Sequence, residues 1–124
     1  MANNKKVLIV DDDTTLCDMY TEELSAKGYD VKKAHDGPSG LASAIKEQPD
    51  IILLDIMMPK MNGFNTLKKL KADAKTSKIP VIVVSALMQE ENKKQALSLG
   101  AACYFSKSES KPKDIAAKIT SLLG

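Results

Sequence analysis

One rhythm restricts the fold more than any single motif: short apolar runs alternate with stretches of helical period along the whole chain. Lys6 to Val10 reads as a buried strand, and Asp11, Asp12 and Asp13 follow it directly. Leu16, Tyr20 and Leu24 then recur at helical spacing up to Gly28, a residue suited to ending a helix. Tyr29 to Ala34 is a second, more polar strand of the kind that lies at a sheet edge. Asp36-Gly37-Pro38 turns the chain into a helix carrying Leu41, Ala44 and Ile45, which Pro49-Asp50 breaks. Ile51 to Leu54 is a third strand, apolar on both faces. After Met58-Pro59 and Asn62-Gly63 comes a helix with Phe64, Leu67 and Leu70 inward and Lys68, Lys69 and Lys71 outward. Pro80 opens a fourth strand, Val81 to Val84, and Gln89 to Leu99 is a weakly amphipathic helix ending at Gly100. Ala101 to Phe105 is the fifth strand, and Pro112 sits near the start of a last helix with Ile115, Ile119 and Leu122.

Strands apolar on both faces and alternating with helices imply a parallel sheet covered on both sides. The chain has 124 residues, whereas a closed eight-fold barrel needs about 250. The expected class is therefore α/β: an open, doubly wound (βα)5 sheet in a single domain spanning residues 1–124. Ligands of such sheets bind at the carboxyl ends of the strands, near the point where strand order reverses. Composition narrows the partners. All 18 cations are Lys, the net charge is only +2, and aromatic residues make up 4% with no Trp. A chain without Arg and with few stacking aromatics is a poor direct reader of nucleic acid. No apolar run approaches the ~20 residues of a membrane span, and Met1 to Lys6 is polar, so no membrane partner and a cytoplasmic location are expected. Cys17 and Cys103 fall in different elements and read as two free thiols.

The reactive side chains share one rim. Asp11 to Asp13 follow strand one, Asp55 follows strand three, Ser85 follows strand four and Lys107 lies just past strand five. Clustered carboxylates cost roughly 4 kcal/mol per pair at ~4 Å and an effective dielectric of 20, so such a cluster needs a cation or an elevated pKa. Oxygen donors without His or Cys select a hard ion, Mg²⁺ first and Mn²⁺ as an alternative. A carboxylate beside such an ion can act as the nucleophile in phosphoryl transfer, with a Lys and a hydroxyl on the equatorial oxygens.

The runs Val7-Leu-Ile-Val-Asp-Asp12, Asp55-Ile-Met-Met-Pro-Lys-Met-Asn-Gly63, Val84-Ser85-Ala86 and Tyr104-Phe105-Ser106-Lys107 resemble the receiver domain of two-component response regulators, over nearly the whole chain. The resemblance implies a flavodoxin-like strand order 2-1-3-4-5. It implies Asp55 as phospho-acceptor, Asp12 as direct Mg²⁺ ligand, Asp11 as its neighbour, Asp55 itself in the metal shell and the Met57 carbonyl as a backbone ligand. Lys107 would pair with the phosphoryl group, with Ser85 the switch hydroxyl and Tyr104 the aromatic switch. The implied activity is regulatory rather than enzymatic. Phosphate would come from a histidine kinase or histidine phosphotransfer protein, and a downstream protein or domain would read the face of helix four, strand five and helix five, with Lys93 and Lys94. The chain stops about where the fifth helix ends, so the output is expected to lie in a partner or in sequence beyond it. Receivers usually carry Pro after the Lys, with a cis bond; here Ser108 follows, and a non-proline cis bond costs ~3–4 kcal/mol, which leaves the placement of Lys107 open. Met57 and Leu87 occupy positions that flank the water path in receivers, and their bulk predicts slow loss of phosphate.

Two other readings compete. Asp11-Asp12-Asp13-Thr14-Thr15 also fits the Asp-x-Asp-x-Thr pattern of haloacid-dehalogenase-like phosphatases, with Asp11 as nucleophile. That reading lacks a properly spaced acidic motif after the Lys, since only Glu109 and Asp114 are there, and leaves Asp55 unexplained. A receiver-like binding module that is never phosphorylated gains weight from Ser108. Among the remaining residues, Asp13 reads as a helix start, His35 as an unpartnered surface residue and Lys68 to Lys78 as a solvated face. Asn62-Gly63 reads as a turn, Met57, Met58 and Met61 as packing or adaptable surface, and Gln89 to Gln95 as a soft segment.

Overall fold

The computed structural model describes residues 5–56, 62–86 and 89–123. Its elements run β1 (Lys6–Val10), α1 (Thr14–Ser25), β2 (Asp30–Ala34), α2 (Gly37–Glu47), β3 (Ile51–Leu54), α3 (Gly63–Ala72), β4 (Val81–Ser85), α4 (Glu90–Ser98), β5 (Cys103–Ser106) and α5 (Pro112–Leu123). The five strands form one sheet in the order β2-β1-β3-β4-β5, every pair parallel. This is the flavodoxin-like order, and the polar strand β2 lies at the edge, where its Lys32 and Lys33 meet solvent.

The apolar run of each inner strand divides between two cores because successive side chains point to opposite faces. Val7, Ile9, Ile51, Leu53, Ile82 and Val84 pack with Cys17, Tyr20 and Leu24 of α1 and Ile115 and Ile119 of α5. Leu8, Val10, Ile52, Leu54, Val81 and Val83 pack with Ala44 of α2, Leu67 and Leu70 of α3 and Ala96 of α4. Helices α1 and α5 therefore cover one face, and α2, α3 and α4 the other.

Caps fix where the helices begin. The Asp13 carboxylate accepts from Leu16 N–H at 3.0 Å, the Asp36 carboxylate from Ser39 N–H at 2.8 Å and the Asn62 side-chain oxygen from Phe64 N–H at 2.7 Å. Asp13 thus starts α1, as read from the sequence. Two residues depart from the sequence pattern. Ile45 is 37% exposed and Leu122 39% exposed; helical period carries each just past the buried stripe. Strand β5 begins at Cys103 rather than Ala101, and β4 extends to include Ser85.

Candidate functional site

The strand ends build the site through the register of the sheet. The Asp55 N–H donates to the Val10 carbonyl at 2.9 Å, and the Asp11 N–H to the Ala34 carbonyl at 3.0 Å, so the residues just past β1, β2 and β3 stand side by side. Asp11 and Asp55 are 2% and 3% exposed, while Asp12 faces solvent. One carboxylate oxygen from each of Asp11, Asp12 and Asp55 lies within 4.8 Å of the others.

Lys107 closes the pocket. Its Nζ is 3.0 Å from Asp11 Oδ2 and 3.0 Å from Asp55 Oδ2. Burial alone would lower its pKa, but the hydrogen bond to Asp11 and the charges of Asp55 and Asp11 outweigh that and hold it above the ordinary lysine value. The peptide bonds are trans throughout the described residues, including the one that joins Lys107 to Ser108, and Lys107 still reaches both carboxylates. Its own N–H donates to the Ser85 carbonyl at 2.8 Å. Ser85 is fully buried at the end of β4. Tyr104 is half-buried and lines a polar surface hollow of about 190 Å³ with Glu90, Lys93, Ser106 and Glu109.

The structure thus brings Asp11, Asp12, Asp55 and Lys107 into one cluster and sets Ser85 beside it through the Lys107 backbone. Met57, Met58, Pro59, Met61 and Leu87 lie outside the described residues, and with them the backbone ligand and the water-path positions read from the sequence. The donor set suits a small hard cation. An octahedral shell at about 2.1 Å puts ligand oxygens roughly 3 Å apart, or roughly 4 Å across the ion. Three oxygens already within 4.8 Å of one another need shifts of at most about 1 Å each to meet it, and none of the three donors is nitrogen or sulfur. The residues fit Mg²⁺ or Mn²⁺.

Sequence reasoning missed three contributors. His35 has a partner after all: its Nδ1 lies 3.0 Å from the Asp11 carbonyl. The signal was in the register, since Ala34 pairs with Val10 and the next residues are His35 and Asp11. The Cys17 thiol donates to the same carbonyl at 3.4 Å, and the Asp13 N–H donates to Asp11 Oδ1 at 2.9 Å, so Asp11 is held on several sides. Gly63 is the third. Its N–H donates to the Ile56 carbonyl at 2.8 Å, and a Cβ there would overlap Ile56 Cα and stand 2.5 Å from the Asp55 carbonyl. Only a residue without a side chain lets α3 start so close to the strand that carries Asp55.

The comparisons agree with this architecture. Residues 7–120 match the family model of the response regulator receiver domain. Protein PilH of Pseudomonas aeruginosa is 43% identical over 102 residues, covering 82% of this chain and 84% of PilH. The DNA-binding dual master transcriptional regulator RpaA of Synechocystis is 42% identical over 102 residues, or 82% of this chain, but those residues span only 42% of RpaA. A crystal structure of a CheY-like response regulator receiver domain protein from Methanospirillum hungatei superposes with a TM-score of 0.90 at 33% identity, covering 98% of this chain and 94% of that one. Receiver domains bind Mg²⁺ in an acidic pocket, and the aspartate cluster here is of that kind. With the match running over nearly its full length, the chain belongs to the response regulator receiver domain family, the regulatory domains of two-component systems.

Proposed function

We propose that the whole chain works as one receiver unit in which Asp55 accepts a phosphoryl group from the phosphohistidine of a histidine kinase or histidine phosphotransfer protein in the cytoplasm. The single observation that supports this most is the pair of 3.0 Å contacts from one ammonium, Lys107 Nζ, to two buried carboxylates. An Asp55 oxygen forms the new bond to phosphorus as the phosphorus–nitrogen bond breaks. The electron pair stays on the imidazole nitrogen, which takes a proton from solvent. Lys107, already beside Asp55, turns from carboxylate to phosphoryl oxygen with little movement and neutralises charge gained there. Asp11, Asp12 and the Asp55 oxygen not bonded to phosphorus would hold Mg²⁺ or Mn²⁺, which supplies further positive charge when bound.

Ser85 acts as the switch hydroxyl in this reading. A hydrogen bond made to only one state of the protein is the differential interaction a population shift requires. Tyr104, Lys93 and Lys94 present the response to a downstream protein or domain on the surface of α4, β5 and α5. Asp55 and Asp11 are told apart by labelling with acetyl phosphate and Mg²⁺. Asp55→Asn should abolish stable labelling. Turnover that survives Asp55→Asn and depends on Asp11 would replace this reading with a phosphatase, and no labelling of the unmodified chain would leave a binding module. Ser85→Ala should keep Mg²⁺ binding, followed by calorimetry, and weaken phosphorylation-dependent partner binding.

A further inference from the structure

Lys107 reaches the acid pocket from a turn, residues 107–109, rather than from within a strand or helix. A lysine stem has many rotamers, so where its ammonium rests depends on how firmly the backbone beneath it is held. That backbone is fastened at two levels. The Lys107 N–H donates to Ser85, and the Ser106 carbonyl accepts from Glu109 N–H at 3.2 Å and Ser110 N–H at 3.0 Å. Above it, the hydroxyls of Ser106 and Ser108 lie 3.0 Å apart. Ser106 is the last residue of β5 and pairs in register with Ser85, so one hydroxyl is anchored in the sheet. The other belongs to the residue after Lys107. The pair therefore spans Lys107 and closes a small ring across both of its peptide bonds.

We propose that the Ser106–Ser108 hydroxyl pair is a latch that positions Lys107 over Asp11 and Asp55. Both serines are positioning residues: their hydroxyls restrain the turn, and only Lys107 touches the reacting groups. The proposal rests on Asp55 being the phospho-acceptor. The pair lies at the surface, and roughly a five-fold change in a rate that needs Lys107 in place corresponds to about 1 kcal/mol, within the net range of one hydrogen bond.

The test uses the full chain with acetyl phosphate and Mg²⁺, comparing Ser106→Ala, Ser108→Ala, Ser108→Thr, the double alanine variant and each in a Lys107→Ala background. Ser108→Ala and Ser106→Ala should each slow labelling about three- to ten-fold, and the double variant no more than either alone. Ser108→Thr, which keeps the hydroxyl, should restore the rate. Once Lys107 is Ala, the serine substitutions should change nothing further, the coupling expected of groups that act through one another. A merely structural serine would lower the rate in both backgrounds. The NMR resonances of the Lys107 side chain give a second readout that needs no phosphoryl group: Ser108→Ala should displace them and Ser108→Thr should not. Unchanged labelling in Ser108→Ala, additive losses, or Lys107 resonances that ignore Ser108 would each overturn the latch. If the unmodified chain takes no label, the acceptor reading fails, and the NMR comparison still decides the latch.

Discussion

At Gly63 the helix after the acid strand starts against the backbone of Ile56 and Asp55, with no space for a methyl group. Gly63→Ala must push α3 or the Asp55 strand aside, and overpacking of this kind costs about 1–3 kcal/mol. Chemical denaturation should show that loss, and labelling of Asp55 should slow with it. The cysteines differ in a way thiol reagents can read. Burial first, then the Asp11 charge, pushes the Cys17 thiol up to about 12, so at pH 8 only about one molecule in ten thousand carries the thiolate that reacts. Cys103 is half-buried. A thiol reagent at pH 8 should modify Cys103 first and leave Cys17 until the protein unfolds; equal rates would contradict the packing of α1. Single residues were legible in the sequence where chemistry marks them, as with Asp11, Asp12, Asp55 and Lys107. They were illegible where the role is steric or rests on register: Gly63 looked like an ordinary turn, and His35 found its partner only through strand pairing.

Elements followed the apolar rhythm closely, because a strand in the middle of a parallel sheet needs an unbroken apolar run and a helix needs its stripe. The failures lie in which residues fill the stripe. Helix α1 buries Cys17, Tyr20 and Leu24, whereas the spacing Leu16, Tyr20, Leu24 had seemed the natural face; Leu16 packs at the margin of that core and the free thiol of Cys17 lies inside it. Small residues also count as core where a helix comes close to the sheet. Ala44 and Ala96 are fully buried, and a Cβ on Gly40 would press into Val10. Helix α4 is the weakest element. It buries only Ala96, and its N-cap Gln89 makes no side-chain hydrogen bond to the first turn. Amide hydrogen exchange should be faster there than in α1 or α5. Gln89→Ser supplies the missing cap, and about 0.5–1 kcal/mol of added protection is expected in α4. No change in exchange would show that its first turn is already satisfied.

Across the whole molecule the sheet is shared by two cores, and this predicts how it unfolds. Leu67 lies in one core and Ile119 in the other, both fully buried. Each substitution by Ala should cost about 2–5 kcal/mol, and with the sheet between them the two losses should add to within about 0.5 kcal/mol. Urea titration followed by circular dichroism and by tyrosine fluorescence should give one coincident transition; two would mean that the faces unfold separately. The strand order itself follows from the βαβ rhythm only as an open sheet, and the full permutation came from resemblance, because local sequence does not say which strands become neighbours. All reactive groups sit at one rim of this sheet, and the turns at the other rim carry none of them. Ser25, the last residue of α1, and Ala26 and Lys27 after it are exposed at that far end. A fluorophore inserted after Lys27 would ride a full strand length from the acids, beyond direct quenching by anything bound there. A change in its emission when the pocket fills would be a signal carried through the body of the sheet, which turns this topology into a ruler for how far an event at the acid rim is felt.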